Sequence, residues 1–380
     1  IDNNHDAGLC VAAIAAGWPD KLDEVRAGAI AQIHRQLRKA DDGDVDGDML
    51  NALFDAKWQS EQSTYDKMWR DLVLIQIKHG GLDRARHIAR RIRSAETALS
   101  MRVDKRFDPI TRTHPEWFSV DRLLAAQIKK AEARIKAHPD QVEAVNRLQN
   151  LLLLKQESAK VLAVSDAVVA HAEHGEGEKA YVDFGDNYNW VLNKRARAFA
   201  LQGQWNKAAS ELQRALRHPE SGAMNVSQSI NLADLYTDMG EPDKAENAIL
   251  EVGRMSPYGL MQINYMRLQI AIERKEAENI AKYMRYLRKH RTDDIATWQR
   301  ALLKHGDLDD AAALLVKRLE KPEWRNQALV DMQHYAEVEQ TPIMKVMSQR
   351  WRAVTSRPEV QVALEKVGRV ESFGIIAPMY

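Results

Sequence analysis

The chain has 380 residues, 45% hydrophobic and 29% charged, a folded composition with room for two or three compact domains or one extended array. Its 55 basic and 54 acidic residues give a formal net charge of +1, which argues against a dedicated nucleic-acid binder, whose affinity rests on excess positive charge. The single cysteine, Cys10, excludes an internal disulfide and a cysteine-based zinc site, and no run of about 18 apolar residues offers a transmembrane helix.

Ile1 in place of methionine reads as a processed or trimmed start, which leaves an exported, periplasmic location and a cytoplasmic one both open. Residues 8–40 read as two helices around Gly17, Trp18 and Pro19, the second with Leu22, Val25, Ile30, Ile33 and Leu37 at helical spacing. Residues 41–48 read as an acidic turn. Asp42, Asp44, Asp46 and Gly47 match positions 1, 3, 5 and 6 of a calcium-binding EF-hand loop, with Asp48 beside them. Leu53 stands at the twelfth position, where a bidentate glutamate belongs, so weak calcium binding is one expectation. A solvated acidic loop that opens a helix at Asp48 is the other.

Helices are predicted from Met49 to Gln59 and from Thr64 to His79. Gly80 and Gly81 then make a turn with Leu82, Ala85 and Ile88 behind it, a repeat-like unit over 71–92. Arg84, Arg86, Arg90, Arg91 and Arg93 interleave with apolar residues there, which suits a wet basic face or an acidic partner, as does the run Arg285 to Arg291. Residues 101–119, with Pro109 and Pro115, read as a loop of a length that is often functional.

Further helices are predicted over 120–137, 140–154 and 157–173. The stretch 174–189 holds three glycines and three aromatics that break the helical period. His171 and His174, with Glu173 and Glu176, could suggest a metal site, but histidines also favour helix C-termini.

Residues 198–219 and 233–257 share a pattern. Each has a turn glycine (Gly203, Gly240), an alanine five residues on (Ala208, Ala245), an aliphatic at nine (Leu212, Ile249) and a closing proline (Pro219, Pro257). This resembles the tetratricopeptide repeat, a helix–turn–helix unit with a period of roughly 34 residues. Residues 295–322 fit through Gly306, Leu308, Ala311, Leu315 and Pro322. Residues 262–290 fit more weakly, with Lys275 in the turn position. No strand period of two is sustained anywhere, so an all-α fold is expected, and the resemblance implies a right-handed superhelical solenoid of helix pairs. It divides the chain into an N-terminal helical region of degenerate repeats (1–119) and an array with C-terminal capping helices and a tail (120–380). The apolar residues from Glu371 to Tyr380 read as a tail that caps the final pair or frays.

The family's concave groove carries over, position by position, to Trp190, Asn193 and Arg197, then to Asn231, Asp234 and Thr237, then to Tyr265 and Gln269. Tyr188 would be exposed beside Trp190 at the lip of that groove, or the two would plug a gap left by the irregular connection and be buried. Of the positions that clamp a C-terminal carboxylate in chaperone-binding members, only Asn231 fits, and Met266 stands where a cation belongs. The implied function is a non-enzymatic scaffold that binds a protein or peptide. No phosphate loop, nucleophile elbow or zinc helix is present, and no other cofactor is implied. The alternatives are an accessory or catalytic protein with a site near 101–119 or 174–189, and a calcium-responsive structural module.

Overall fold

A computed structural model describes residues 3–40, 42–58, 65–218 and 225–378. Asp41, Gln59, Thr64, Pro219 and Tyr380 lie outside the described residues. The described chain is helical, with no strand, and His334 and Ser372 form an isolated bridge. It is an all-α protein, and no described helix is long and apolar enough to cross a membrane.

The chain forms two compact units, 1–127 and 128–380. The first holds α1 (Asn3–Gly17), α2 (Ala27–Lys39), α3 (Gly43–Asp55), α4 (Asp66–Lys78), α5 (Leu82–Ala89), α6 (Ala95–Val103) and α7 (Asp108–Thr111), and the division falls within α8 (Val120–Ala137). The acidic stretch is not a loop. Val45, Met49, Leu50, Leu53 and Phe54 form one buried stripe, so the helix starts at Gly43 and takes Asp44, Asp46 and Asp48 with it. Residues 101–119 are not a loop either. Short helical turns, opened by Pro109 and Pro115 in first-turn positions, bury Phe107, Ile110 and Phe118.

In the second unit, α9 (Val142–Leu154) pairs with α10 (Ser158–Glu173), and the short α11 (Gly177–Ala180) follows. Then come α12 (Phe184–Ala200) with α13 (Trp205–Ala215), α14 (Val226–Asp238) with α15 (Pro242–Ala248), α16 (Pro257–Glu273) with α17 (Ala277–Lys289), and α18 (Ile295–His305) with α19 (Leu308–Glu320). Each pair packs on the next. Ala208 and Ala245 are fully buried, small enough to let neighbouring helices approach. Pro257 and Pro322 do more than end a unit, because each sits in the first turn of the next helix.

The turn inside each pair has one design. A residue at positive φ ends the first helix, and the amide of the next residue donates to the carbonyl five back, the Schellman closure. Gly203 (φ 69°) is followed by Gln204 donating to Phe199, and Gly240 (φ 75°) by Glu241 donating to Tyr236. Gln156 and Lys275 adopt the same conformation without being glycine, each at φ 58°. Their pairs are therefore faint in sequence and intact in structure.

The chain continues through α20 (Pro322–Asp331), α21 (Pro342–Thr355) and α22 (Pro358–Val367). This end neither frays nor stops at the final pair. From residue 350 back to 337 it passes the turns at Gly306, Gly240, Gly203 and Gln156 in reverse order. Arg350 Nη1 donates to the carbonyls of Leu303 and Lys304 at 2.8 and 2.6 Å. Ile343 lies beside Gly240 and Glu339 beside Gly203, and the Glu337 carbonyl accepts from Gln156. The tail then pairs with residues 334–336, and the Ile376 amide donates to Leu154 at the end of α9. Phe373, Ile375 and Ile376 are buried there. Their spacing follows no helical period because that stretch is extended; it and residues 337–350 together form a strap along the pair turns.

Candidate functional site

The first helices of four consecutive pairs, α12, α14, α16 and α18, each turn a polar stripe to the same side. Residues three or four apart share a helix face. One position recurs six residues before each left-handed turn residue. From Gly203, Gly240, Lys275 and Gly306 it gives Arg197, Asp234, Gln269 and Arg300.

Side-chain bonds join the stripes. Asn231 donates to Asn193 at 2.8 Å, across α14 and α12. Gln269 donates to Asp234 at 3.1 Å, and Arg300 reaches the same carboxylate at 3.3 Å. The Arg300 guanidinium lies 4.5 Å from the centre of the Tyr265 ring. Lys304 pairs with Glu273 at 3.2 Å. At the other end Lys194 donates to Asn146 of α9 at 3.0 Å and lies 5.5 Å from the Trp190 ring.

The row is open to solvent yet walled by protein. Arg300 keeps 45% of its side chain exposed, although protein surrounds it closely enough for burial to work against its charge. Tyr265, Asp234 and Asp238 more than restore that charge, and its pKa is raised. Burial pushes the Tyr265 hydroxyl up to about 12 against the pull of Arg300. Burial, then the neighbouring Asp234 charge, pushes Asp238 up to about 7. Burial lowers Lys194 to about 7, partly opposed by Glu143, and lowers Arg197 to about 10. Strongly shifted groups gathered on one reachable surface are a recurrent mark of functional sites.

The expected groove residues divide into two sets. Trp190, Asn193 and Arg197 are half-buried, Asn231 is exposed, and Asp234 keeps 35% of its side chain exposed, so all five face the open row. Tyr265 and Gln269 are buried beneath it and support Arg300 and Asp234. Thr237 is fully buried and turns its hydroxyl to the Asp234 carbonyl. Tyr188 is not exposed beside Trp190. It is 2% exposed, stacks on Phe184 at 4.6 Å and belongs to a core cluster with Tyr181, Val191 and Leu192. The aromatics of 174–189 fill that core, and Gly177 must lack a Cβ, which would meet the Phe184 ring at 2.4 Å. Asp238, Arg300, Lys304 and Lys194 were missed. The signal for Arg300 was present, because the six-back count reaches it from Gly306.

The loop on which the calcium expectation rested is not formed. On a helix the four carboxylates diverge. Asp42 lies 2.6 Å from His5, Asp46 is buried at 2.7 Å from His34, and Asp44 and Asp48 point into solvent. Among the described residues no group of three or more His, Cys, Asp or Glu side chains is arranged to hold a metal ion. His171 and His174 each place Nδ1 on a backbone carbonyl one turn back. The basic run of α5 is largely engaged internally. Arg84 pairs with Asp55, Arg86 pairs with Asp83, Arg90 stacks on Trp117 and Arg91 on Phe54. No family model matches the chain, and no curated protein matches it.

Proposed function

We propose that this protein is a non-enzymatic binding scaffold, similar to tetratricopeptide-repeat proteins, whose helix pairs stack as a right-handed superhelical solenoid. The row formed by Trp190, Asn193, Arg197, Asn231, Asp234, Asp238 and Arg300 takes an extended polar segment of a partner protein. One observation carries this reading. The position six residues before the turn places Arg197, Asp234, Gln269 and Arg300 in line, and side-chain bonds tie α14, α16 and α18 together along that line. Alternating charged and amide groups on a protein-walled surface suit a peptide backbone and its polar side chains. Charge complementarity would set its register. Aromatic and arginine side chains in such a surface, here Trp190 and Arg197, are frequent binding anchors.

Peptides selected by display on the whole protein test this directly. They are expected to lose at least roughly tenfold in affinity, about 1.4 kcal/mol, on Asp234→Ala or Arg197→Ala. Selected peptides that bind both variants as tightly as the parent would remove the polar row from the function.

A further inference from the structure

The polar row occupies one side of α18. Trp298 and Leu302 lie about 200° round that helix from Arg300 and Lys304. With Ala313 and Leu314 of α19 they floor a cavity of about 430 Å³. Its rim is charged: Arg288 from the end of α17, Arg291 just beyond it, and Asp310 and Lys317 from α19. Trp298, Leu302 and Leu314 are buried, whereas the four charged residues are exposed.

The rim is not self-neutralised. Arg291 places one guanidinium nitrogen on the Arg288 carbonyl at 2.8 Å. Among the described residues no carboxylate pairs with Arg288, Arg291 or Lys317. Three cations against Asp310 leave a surplus of two positive charges over an aromatic and aliphatic floor. This contrasts with Arg84, Arg86, Arg90 and Arg91 in and just after α5, which are occupied by aspartates and rings.

We propose that this cavity binds a phosphate monoester carried on a flat apolar body of about mononucleotide size. A phosphate monoester carries close to two negative charges near pH 7, which matches the surplus. Guanidinium groups offer it paired, directional donors. An indole-based floor suits a planar ring, and the volume lies in the lower part of the range for small-ligand sites. Asp310 would accept from an amino or hydroxyl group on that ring. A free nucleotide and a phosphotyrosine side chain present the same chemistry, and the test separates them. The inference does not depend on the polar row being a binding face.

The experiment is calorimetric titration of the full chain at low ionic strength with adenosine monophosphate, phenyl phosphate, a short phosphotyrosine peptide, adenosine and inorganic phosphate. Adenosine monophosphate or the phosphopeptide is expected to bind with a dissociation constant between about 10 µM and 1 mM. The tighter of the two identifies the source. Adenosine and inorganic phosphate should each bind at least roughly tenfold more weakly, because each lacks half of the recognised group. The double variant Arg288→Gln, Arg291→Gln should weaken binding by roughly tenfold or more with an unchanged melting curve, since both residues are exposed. Absence of binding by every phosphate monoester at 10 mM, about the weakest affinity worth assigning, overturns the proposal. So does retention of full affinity by the double variant. Inorganic phosphate binding as tightly as the monoesters overturns it as well, because the floor would then contribute nothing.

Discussion

Buried charge is handled in two ways in this molecule. In the first unit His34 sits between Asp46 at 2.7 Å and Asp71 at 3.2 Å, and Asp71 also takes Arg70 and Arg38. Burial works against these charges, yet the partners prevail: the His34 pKa is raised and Asp71 is held well below the usual carboxylate range. At three groups along the polar row of the second unit burial prevails instead. Asp238 is pushed up and Lys194 and Arg197 are pushed down, each away from its charged form. The first arrangement is complete and holds α2, α3 and α4 together. The second is incomplete, as expected of a surface whose missing partner belongs to another molecule.

The largest effect should come from breaking the complete cluster. Asp71→Ala strands Arg70, frees Arg38 and leaves His34 with Asp46 alone, and is expected to destabilise by roughly 3–5 kcal/mol in denaturant unfolding. A loss under about 1 kcal/mol would mean that the cluster is not a structural unit. Next in size is Arg350→Ala, which removes two charge-assisted bonds from the strap to the end of α18 and should destabilise by about 1.5–3 kcal/mol. Because Lys304 lies at that end, the variant should also disturb its pairing with Glu273. Chemical-shift changes confined to the strap, with none at Glu273 or Asp238, would separate the strap from the row.

The comparison also shows what the sequence could reveal. The all-α fold followed from apolar spacing, and Gly203, Gly240 and Gly306 marked pair turns because glycine takes positive φ without strain. Gln156 and Lys275 occupy the same conformation, so the pairs they close had no such marker. Trp190, Asn193, Arg197, Asn231 and Asp234, expected from the repeat resemblance, lie on one open side because a helix period fixes which side chains share a face. Tyr188 went astray because the helix starts at Phe184, six residues earlier than the glycine- and aromatic-rich composition suggested, which turns Tyr188 inward. The acidic stretch misled in a similar way. A carboxylate pattern describes spacing along the chain, whereas the buried stripe from Val45 to Phe54 decides the conformation. His34 with Asp71, and the strap with the turns, are joined across distances in sequence that no local pattern records.

A smaller effect should appear in pH dependence. Asp238 titrates near 7 when folded and near 4 when unfolded, so between those values the folded state holds a proton that the unfolded state lacks. Its contribution to stability is complete below about pH 4 and falls as pH rises toward about 7 and beyond. Asp238→Asn should remove that fall and leave the protein more stable than the parent at pH 7. Lys194 works in the opposite sense, but only between about pH 7 and 10.5, whereas His34, Glu96 and Asp331 also have raised pKa values, so the difference between parent and variant melts from pH 5 to 7 is what reports Asp238. Parallel curves for parent and variant would place Asp238 among ordinary surface carboxylates.

The smallest change in stability belongs to Arg197, and it separates the two kinds of buried charge most sharply. In the His34 cluster, removal of one charge strands its partners. Arg197 has no hydrogen-bond or ion-pair partner for its guanidinium among the described residues, and burial lowers its pKa to about 10. Removing it strands nothing and relieves a desolvated charge. Arg197→Ala should therefore shift stability by less than about 0.5 kcal/mol, or raise it slightly. The same substitution should weaken the capture of display-selected peptides by at least roughly tenfold, because a bound carboxylate or carbonyl is the partner that this cation lacks. Arg197→Lys should restore part of that affinity, since the charge returns without the paired donors. If Arg197→Ala instead lowered stability by more than about 2 kcal/mol, Arg197 would belong with His34 as a structural charge. The polar row would then lose its anchor on α12.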